Sequence, residues 1–210
     1  MISRVFIAII VFLTSAHAAS VTKIVKELQD KYEKIANLSA DFVQIDKFKL
    51  TGSQTETKGK LYVKDGVKCR LVTEDQIIVT DGETVWTYSI INNQVLVDRV
   101  KEGEGSLLPR DLLFRYPRDY YASLLDEVEL DDQDYYILRL DPKEGVHGYI
   151  KTMKIWVNTD SYMISKVEYT DFNDNISYFE VKKVDIDTKL DDSLFQLKIE
   201  KGVDVIDLRM

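Results

Sequence analysis

The sequence predicts a mainly β protein, with one large, curved antiparallel sheet and a helical lid over an apolar interior. Three observations carry that expectation. A single stretch near the N-terminus has the apolar spacing of a helix. From Ser39 onward the period is two, interrupted by turn pairs such as Asp81-Gly82 and Asn92-Asn93. No repeat of roughly 20–50 residues is evident, which argues against a propeller or solenoid.

The N-terminus reads as an address. Arg4 precedes the unbroken apolar run from Val5 to Leu13, and Ala16 and Ala18 form a small-residue cleavage pattern. The run is shorter than the roughly 20 residues a spanning helix needs. Residues 1–18 are therefore expected to be a cleaved secretory signal peptide, leaving 19–210 as a single soluble domain. No cysteine follows the run, so a lipid-modified N-terminus is not expected. The chain of 210 residues has one cysteine, Cys69, which forbids an internal disulfide. A secreted chain without disulfides fits a bacterial periplasm.

Ser20 is placed to cap the first helix. Val21, Ile24, Val25, Leu28, Tyr32 and Ile35 then fall on one apolar stripe, predicting a helix that ends near Asn37. Strands follow. Gly59-Leu61-Val63 alternates with lysines and Tyr62. Gln76–Val79 leads through Asp81-Gly82 into Thr84–Ile90, where Trp86, Tyr88 and Ile90 share a face, and Gln94–Val100 returns. Between Glu102 and Tyr121, Leu107, Leu108, Leu112, Leu113 and Phe114 form an apolar cluster at helical spacing, read as one or two short helices. The meander resumes at Tyr135–Asp141, Thr152–Val157, Met163–Thr170 and Ile176–Asp187, with short final strands at Phe195–Ile199 and Val203–Ile206. The acidic run from Asp126 to Asp134 reads as a solvated loop. About ten strands result. A sheet that large must curl or pack on something, and the two helical segments are its available cover. Pattern alone leaves a ligand cavity and a fully packed core equally open.

Composition narrows function. The net charge is −8 and no basic block is visible, so nucleic acid is not an expected partner. Two histidines leave little for metal clusters or histidine catalysis. No G-x-S-x-G is present, and His147 lies in a polar, Gly-flanked stretch. Cys69 between Lys68 and Arg70 has no histidine beside it in sequence to serve as base. No cofactor, metal site or catalytic residue is expected. A paired-carboxylate hydrolase is the weakest alternative, since nothing singles out a pair. Strand faces carry too many charges for a continuous lipid-facing band, which argues against a membrane barrel.

Several segments together resemble the LolA-type family of periplasmic lipoprotein carriers. They are Ser39-Ala40-Asp41-Phe42-Val43-Gln44, Gly59-Lys60-Leu61-Tyr62-Val63-Lys64, and Ile78-Val79-Thr80-Asp81-Gly82-Glu83-Thr84-Val85-Trp86-Thr87-Tyr88. The resemblance implies an unclosed half-barrel with a helical lid. It implies a monomeric carrier of acylated lipoproteins, loaded by an inner-membrane ABC-type releasing complex and unloaded at an outer-membrane acceptor. A lipid-binding sensor or regulator on the same fold is the alternative. With that architecture in view, strand parity nominates Leu61, Val63, Trp86, Tyr88, Ile90, Met153, Ile155 and Val157 as the acyl-cavity wall. Leu107, Leu108, Leu112 and Leu113 become the lid. Two family positions differ. Asp65-Gly66 stand where the family commonly has an Arg-Pro latch, and Cys69 stands where a phenylalanine is linked to cargo transfer. Lys64, Lys68 and Arg70 are the neighbouring cations that could replace the latch.

Overall fold

A computed structural model of the chain describes residues 20–100, 120–145 and 150–209. The expected signal segment, the leucine cluster 107–113 and His147 lie outside the described residues.

The first helix, α1, spans Val21–Glu33. Ser20 holds the capping position through its carbonyl, which accepts from Lys23 and Ile24 N–H, while its hydroxyl makes no cap bond. Ile24, Leu28 and Tyr32 are buried, as the stripe predicts. The helix stops before the expected Asn37, because Ile35 and Ala36 turn the chain into the first strand.

Twelve strands follow among the described residues: β1 (Asn37–Lys47), β2 (Gln54–Lys64), β3 (Lys68–Thr73), β4 (Gln76–Thr80), β5 (Thr84–Ser89), β6 (Gln94–Arg99), β7 (Tyr120–Leu130), β8 (Gln133–Pro142), β9 (Ile150–Asn158), β10 (Ile164–Asp171), β11 (Ile176–Ile186) and β12 (Asp204–Asp207). They form one unclosed sheet in the order β12-β6-β5-β4-β3-β2-β1-β11-β10-β9-β8-β7. All neighbouring pairs are antiparallel except β12, which runs parallel to β6.

Bulges give the sheet its curl by letting residues three apart share a face. Ile164 and Val167 are both buried because Ser165 is the extra residue between pairs Ile164–Val157 and Lys166–Trp156. Val181 and Val184 both reach the core because the register shifts at Asp41/Phe42. A close approach fixes the middle of the sheet. The Phe42 ring lies over Gly59, where a Cβ would come within 2.5 Å of it, so only glycine fits.

Three expectations change. The acidic run is largely strand β7, and only Asp131 and Asp132 form the turn, both with positive φ. Its alternation was hidden because β7 is an edge strand. Tyr120, Ala122 and Leu124 pack on the core while its acids stay in water. Phe195–Ile199 is not a strand. Asp192–Phe195 is a 3-10 helix whose N-terminus is capped by the Asp191 side chain. The strand expected at Val203–Ile206 is β12, beginning at Asp204, but it joins in parallel rather than as part of a meander.

Candidate functional site

The sheet has an apolar inner face and, over β3–β6, an apolar outer one, and register decides which residues belong to which. On the inner face one row crosses six strands: Ala40–Leu61–Leu71–Ile78–Thr87–Leu96. A parallel row runs Leu38–Val63–Cys69–Thr80–Val85–Asp98. On the other half, Met153, Ile155 and Val157 pair with Leu140, Leu138 and Tyr136. All of these except the β5 and β6 members and Thr80 join or pack on one core cluster with the α1 stripe. The Tyr32 hydroxyl, buried in that cluster, accepts from the Ile164 N–H at 3.1 Å. Burial raises its pKa, so it remains a neutral phenol.

Cover is uneven along the inner face. Ala40, Leu61 and Leu71 are buried, Ile78 and Thr87 are half-buried, and Leu96 is 37% exposed. Exposure of this row therefore rises toward β6, leaving apolar surface open at that end of the sheet. Polar groups cluster elsewhere, where β1 meets β11: Gln44 donates to Asp46, and Ser177 donates to the same carboxylate.

The expected wall divides between the faces. Leu61, Val63, Met153, Ile155 and Val157 lie on the inner face. Trp86 and Tyr88 lie on the outer one, paired with Val79 and Ile77 on one side and Val97 and Val95 on the other. Ile90 falls just past β5 in the turn and is 41% exposed, so it lines neither face. The inner-face residues of that hairpin are instead Ile78, Val85 and Thr87, with Leu71 and Leu96 beside them. Parity groups Trp86 and Tyr88 with the inner residues because the outer face of this hairpin is the more apolar one.

The outer face of β3–β6 is apolar because it has its own cover, the C-terminal segment. Val79, Val95, Val97 and Phe195 are buried but stand apart from the main cluster. Three cations fasten the segment. Lys64 Nζ donates to the Leu190 carbonyl at 3.1 Å, Lys64 and Lys68 both meet Asp192, and Arg70 Nη1 donates to the Leu194 carbonyl at 3.1 Å. Those bonds hold the Asp192 carboxyl below its ordinary pKa, with the Lys68 bond foremost. Lys64, Lys68 and Arg70 therefore do not stand in for an inner-face latch, since their side chains leave from the outer face. A cleft of about 420 Å³ remains between the segment and the sheet, bordered by Arg70, Ile77, Tyr88, Leu197 and Ile199.

Asp65 and Gly66 form the β2–β3 turn, both with positive φ. Backbone geometry explains that pair, which suits a hairpin where Arg-Pro would not. Cys69 is 1% exposed on the inner face between Val63 and Thr80, so its thiol lines the apolar interior rather than a reactive surface. Among the described residues, no three His, Cys, Asp or Glu side chains gather as a metal site. No helix among them is long and apolar enough to cross a membrane.

Residues 33–198 match the family model described as outer membrane lipoprotein carrier protein LolA. The outer-membrane lipoprotein carrier protein of Haemophilus influenzae is 28% identical over 186 residues, covering 87% of this chain and 86% of that one. Its Legionella pneumophila counterpart is 25% identical over 204 residues, covering 94% and 96%. Among solved structures, an uncharacterized conserved protein from Thermus thermophilus superimposes with a TM-score of 0.60 at 12% identity, covering 89% of this chain and 98% of that one. MucB superimposes with a TM-score of 0.51 at 14% identity, covering 87% and 64%. Both likenesses concern the fold.

Proposed function

The chain belongs to the LolA family of outer membrane lipoprotein carrier proteins, and from that premise we propose that its inner sheet face holds the acyl chains of lipoproteins in transit. In this reading the mature protein, residues 19–210, is a single monomeric domain in the periplasm. It receives cargo from an inner-membrane ABC-type releasing complex and yields it to an outer-membrane acceptor. No catalytic step is required.

One observation supports the reading above others: the rise in exposure along the inner face from Leu61 and Leu71 to Leu96, which we read as an apolar trough. An acyl chain laid along Ile78, Val85, Thr87 and Leu96 would remove apolar surface on both partners from water. Each buried CH₂ contributes about 0.8 kcal/mol, so several chains would bind tightly without any polar contact. The trough must therefore give them up by a competing apolar contact or surface.

Dye displacement tests this reading. Delipidated protein preloaded with an environment-sensitive apolar dye is titrated with a triacylated lipopeptide and with the same peptide deacylated. Displacement by the acylated form alone is expected, and Leu96→Asp should weaken it by about ten-fold or more, since a charge in the trough must be desolvated. Equal displacement by both peptides, or none by either, would remove acyl recognition.

A further inference from the structure

The two ends of the half-barrel differ in a way that the trough does not explain. At one end, the turns are Asp65-Gly66-Val67, Asp81-Gly82-Glu83, Asp131-Asp132 and the stretch around Asp160. Their tips are acidic, and the exposed aliphatic residues beside them, Val67 and Leu130, are only about half exposed, at 49% and 47%, with Val67 lying against Gly82. At the other end, the turns described in full are 48–53, 74–75, 90–93 and 172–175. Three of these four present large apolar side chains to water: Leu50 is 96% exposed, Ile91 76% and Phe172 68%. Hairpin turns do not require such residues. Asn, Gly and Asp serve there at lower cost, as the opposite end shows.

The three turns are held in a fixed rim. Strand order places 90–93, then 74–75, then 48–53, then 172–175 along one edge. The Ile90 N–H donates to the Asp75 carbonyl at 2.9 Å, and the Lys49 N–H donates to Asn175 Oδ1 at 3.0 Å. Lys49 precedes Leu50, and Glu74, Asp75 and Asp174 lie in the neighbouring rim turns, in a chain whose net charge is −8.

We propose that this rim enters the interface of a lipid bilayer, with Leu50, Ile91 and Phe172 crossing into the headgroup–acyl boundary. A bilayer fits better than a folded protein partner. The rim runs across eight strands, about 30 Å at ordinary strand spacing, with one or two apolar residues per turn. A protein interface concentrates its apolar area in one patch, whereas a soft planar surface accepts scattered tips. Charge separates the two ends by degree: the opposite turns carry Asp65, Asp81, Glu83, Asp131, Asp132 and Asp160, while the rim turns carry Glu74, Asp75 and Asp174 beside Lys49. The less acidic end is the one that approaches an anionic surface at lower cost. The proposal adds a membrane-facing end to the carrier reading without depending on it, because the rim acts whether or not the trough is filled.

Vesicle flotation of the empty mature protein tests it, so that failure here is separable from failure of dye displacement. The vesicles contain phosphatidylethanolamine and phosphatidylglycerol. The variants are Leu50→Asp/Ile91→Asp/Phe172→Asp and, at the opposite end, Val67→Asp/Leu130→Asp. The wild type and the opposite-end variant should float. The rim variant should lose about ten-fold or more of its bound fraction while its thermal unfolding stays unchanged, because all three side chains are exposed. As a second readout, Leu50→Cys carrying a polarity-sensitive fluorophore should shift to the blue on adding vesicles. Wild-type protein that does not float, a rim variant that floats as well as wild type, or a fluorophore that stays in water would overturn the proposal. A protein partner would then be the occupant to seek.

Discussion

Tyr32 ties the helix to the sheet at a single atom. Its hydroxyl accepts the Ile164 N–H, which begins β10 in the buried interior. Tyr32→Phe keeps the ring's packing but leaves that donor without its phenol partner, so it should cost about 1–2 kcal/mol, read as a lower urea midpoint with an unchanged slope. An unchanged midpoint would mean that water or another group replaces the phenol. Tyr32 was legible in the sequence as part of the helical stripe, but its bond was not, because nothing in a one-dimensional pattern pairs it with Ile164. Gly59 is a similar case. Its alternation with Leu61 and Val63 is legible in the sequence, but the Phe42 ring that lies on it is not.

The β4–β5 hairpin shows where element-level reading stops. The turn was legible because Asp81 is built for it: its Oδ1 accepts the Glu83 and Thr84 N–H groups at 2.9 and 2.8 Å. The strands were legible from their alternation. Which face pointed inward was not, because both faces of the hairpin carry apolar residues at the same period. Trp86 and Tyr88 sit on the face covered by the C-terminal segment, and that cover is non-local in sequence. The clamp on this segment makes a pH prediction. Asp192 has a folded-state pKa held below the ordinary 3.8 by its lysine bonds. A depressed carboxyl contributes stability that is complete above its unfolded value and is lost as pH falls through the folded one. The Leu194 and Phe195 amide signals should therefore be unchanged from neutral pH down to about 4 and shift only in stronger acid. That acid transition should shrink in Asp192→Asn, leaving the part due to Asp191, whose capping carboxyl is also held low by its bond from Ser193. A transition near neutral pH would mean that another group controls the segment.

At the scale of the whole molecule, one face and one end are distinguished from their opposites. The curved sheet was legible from turns and periodicity, and the family from three motifs in order. Hidden from the sequence were the bulges that put Ile164 with Val167 and Val181 with Val184, and hence the continuity of the inner face. The central claim is that acyl chains lie on that inner face and not in the outer cleft beneath the C-terminal segment. Site-specific photo-cross-linking compares the two directly. A benzophenone side chain is placed at Ile78 or Leu96 on the inner face, and at Ile77 or Tyr88 on the outer, and each protein is loaded with a triacylated lipopeptide. Cross-links should form from Ile78 and Leu96 and not from Ile77 or Tyr88. Cross-linking from Ile77 and Tyr88, with none from the inner pair, would contradict the account and move the cargo to the other side of the sheet.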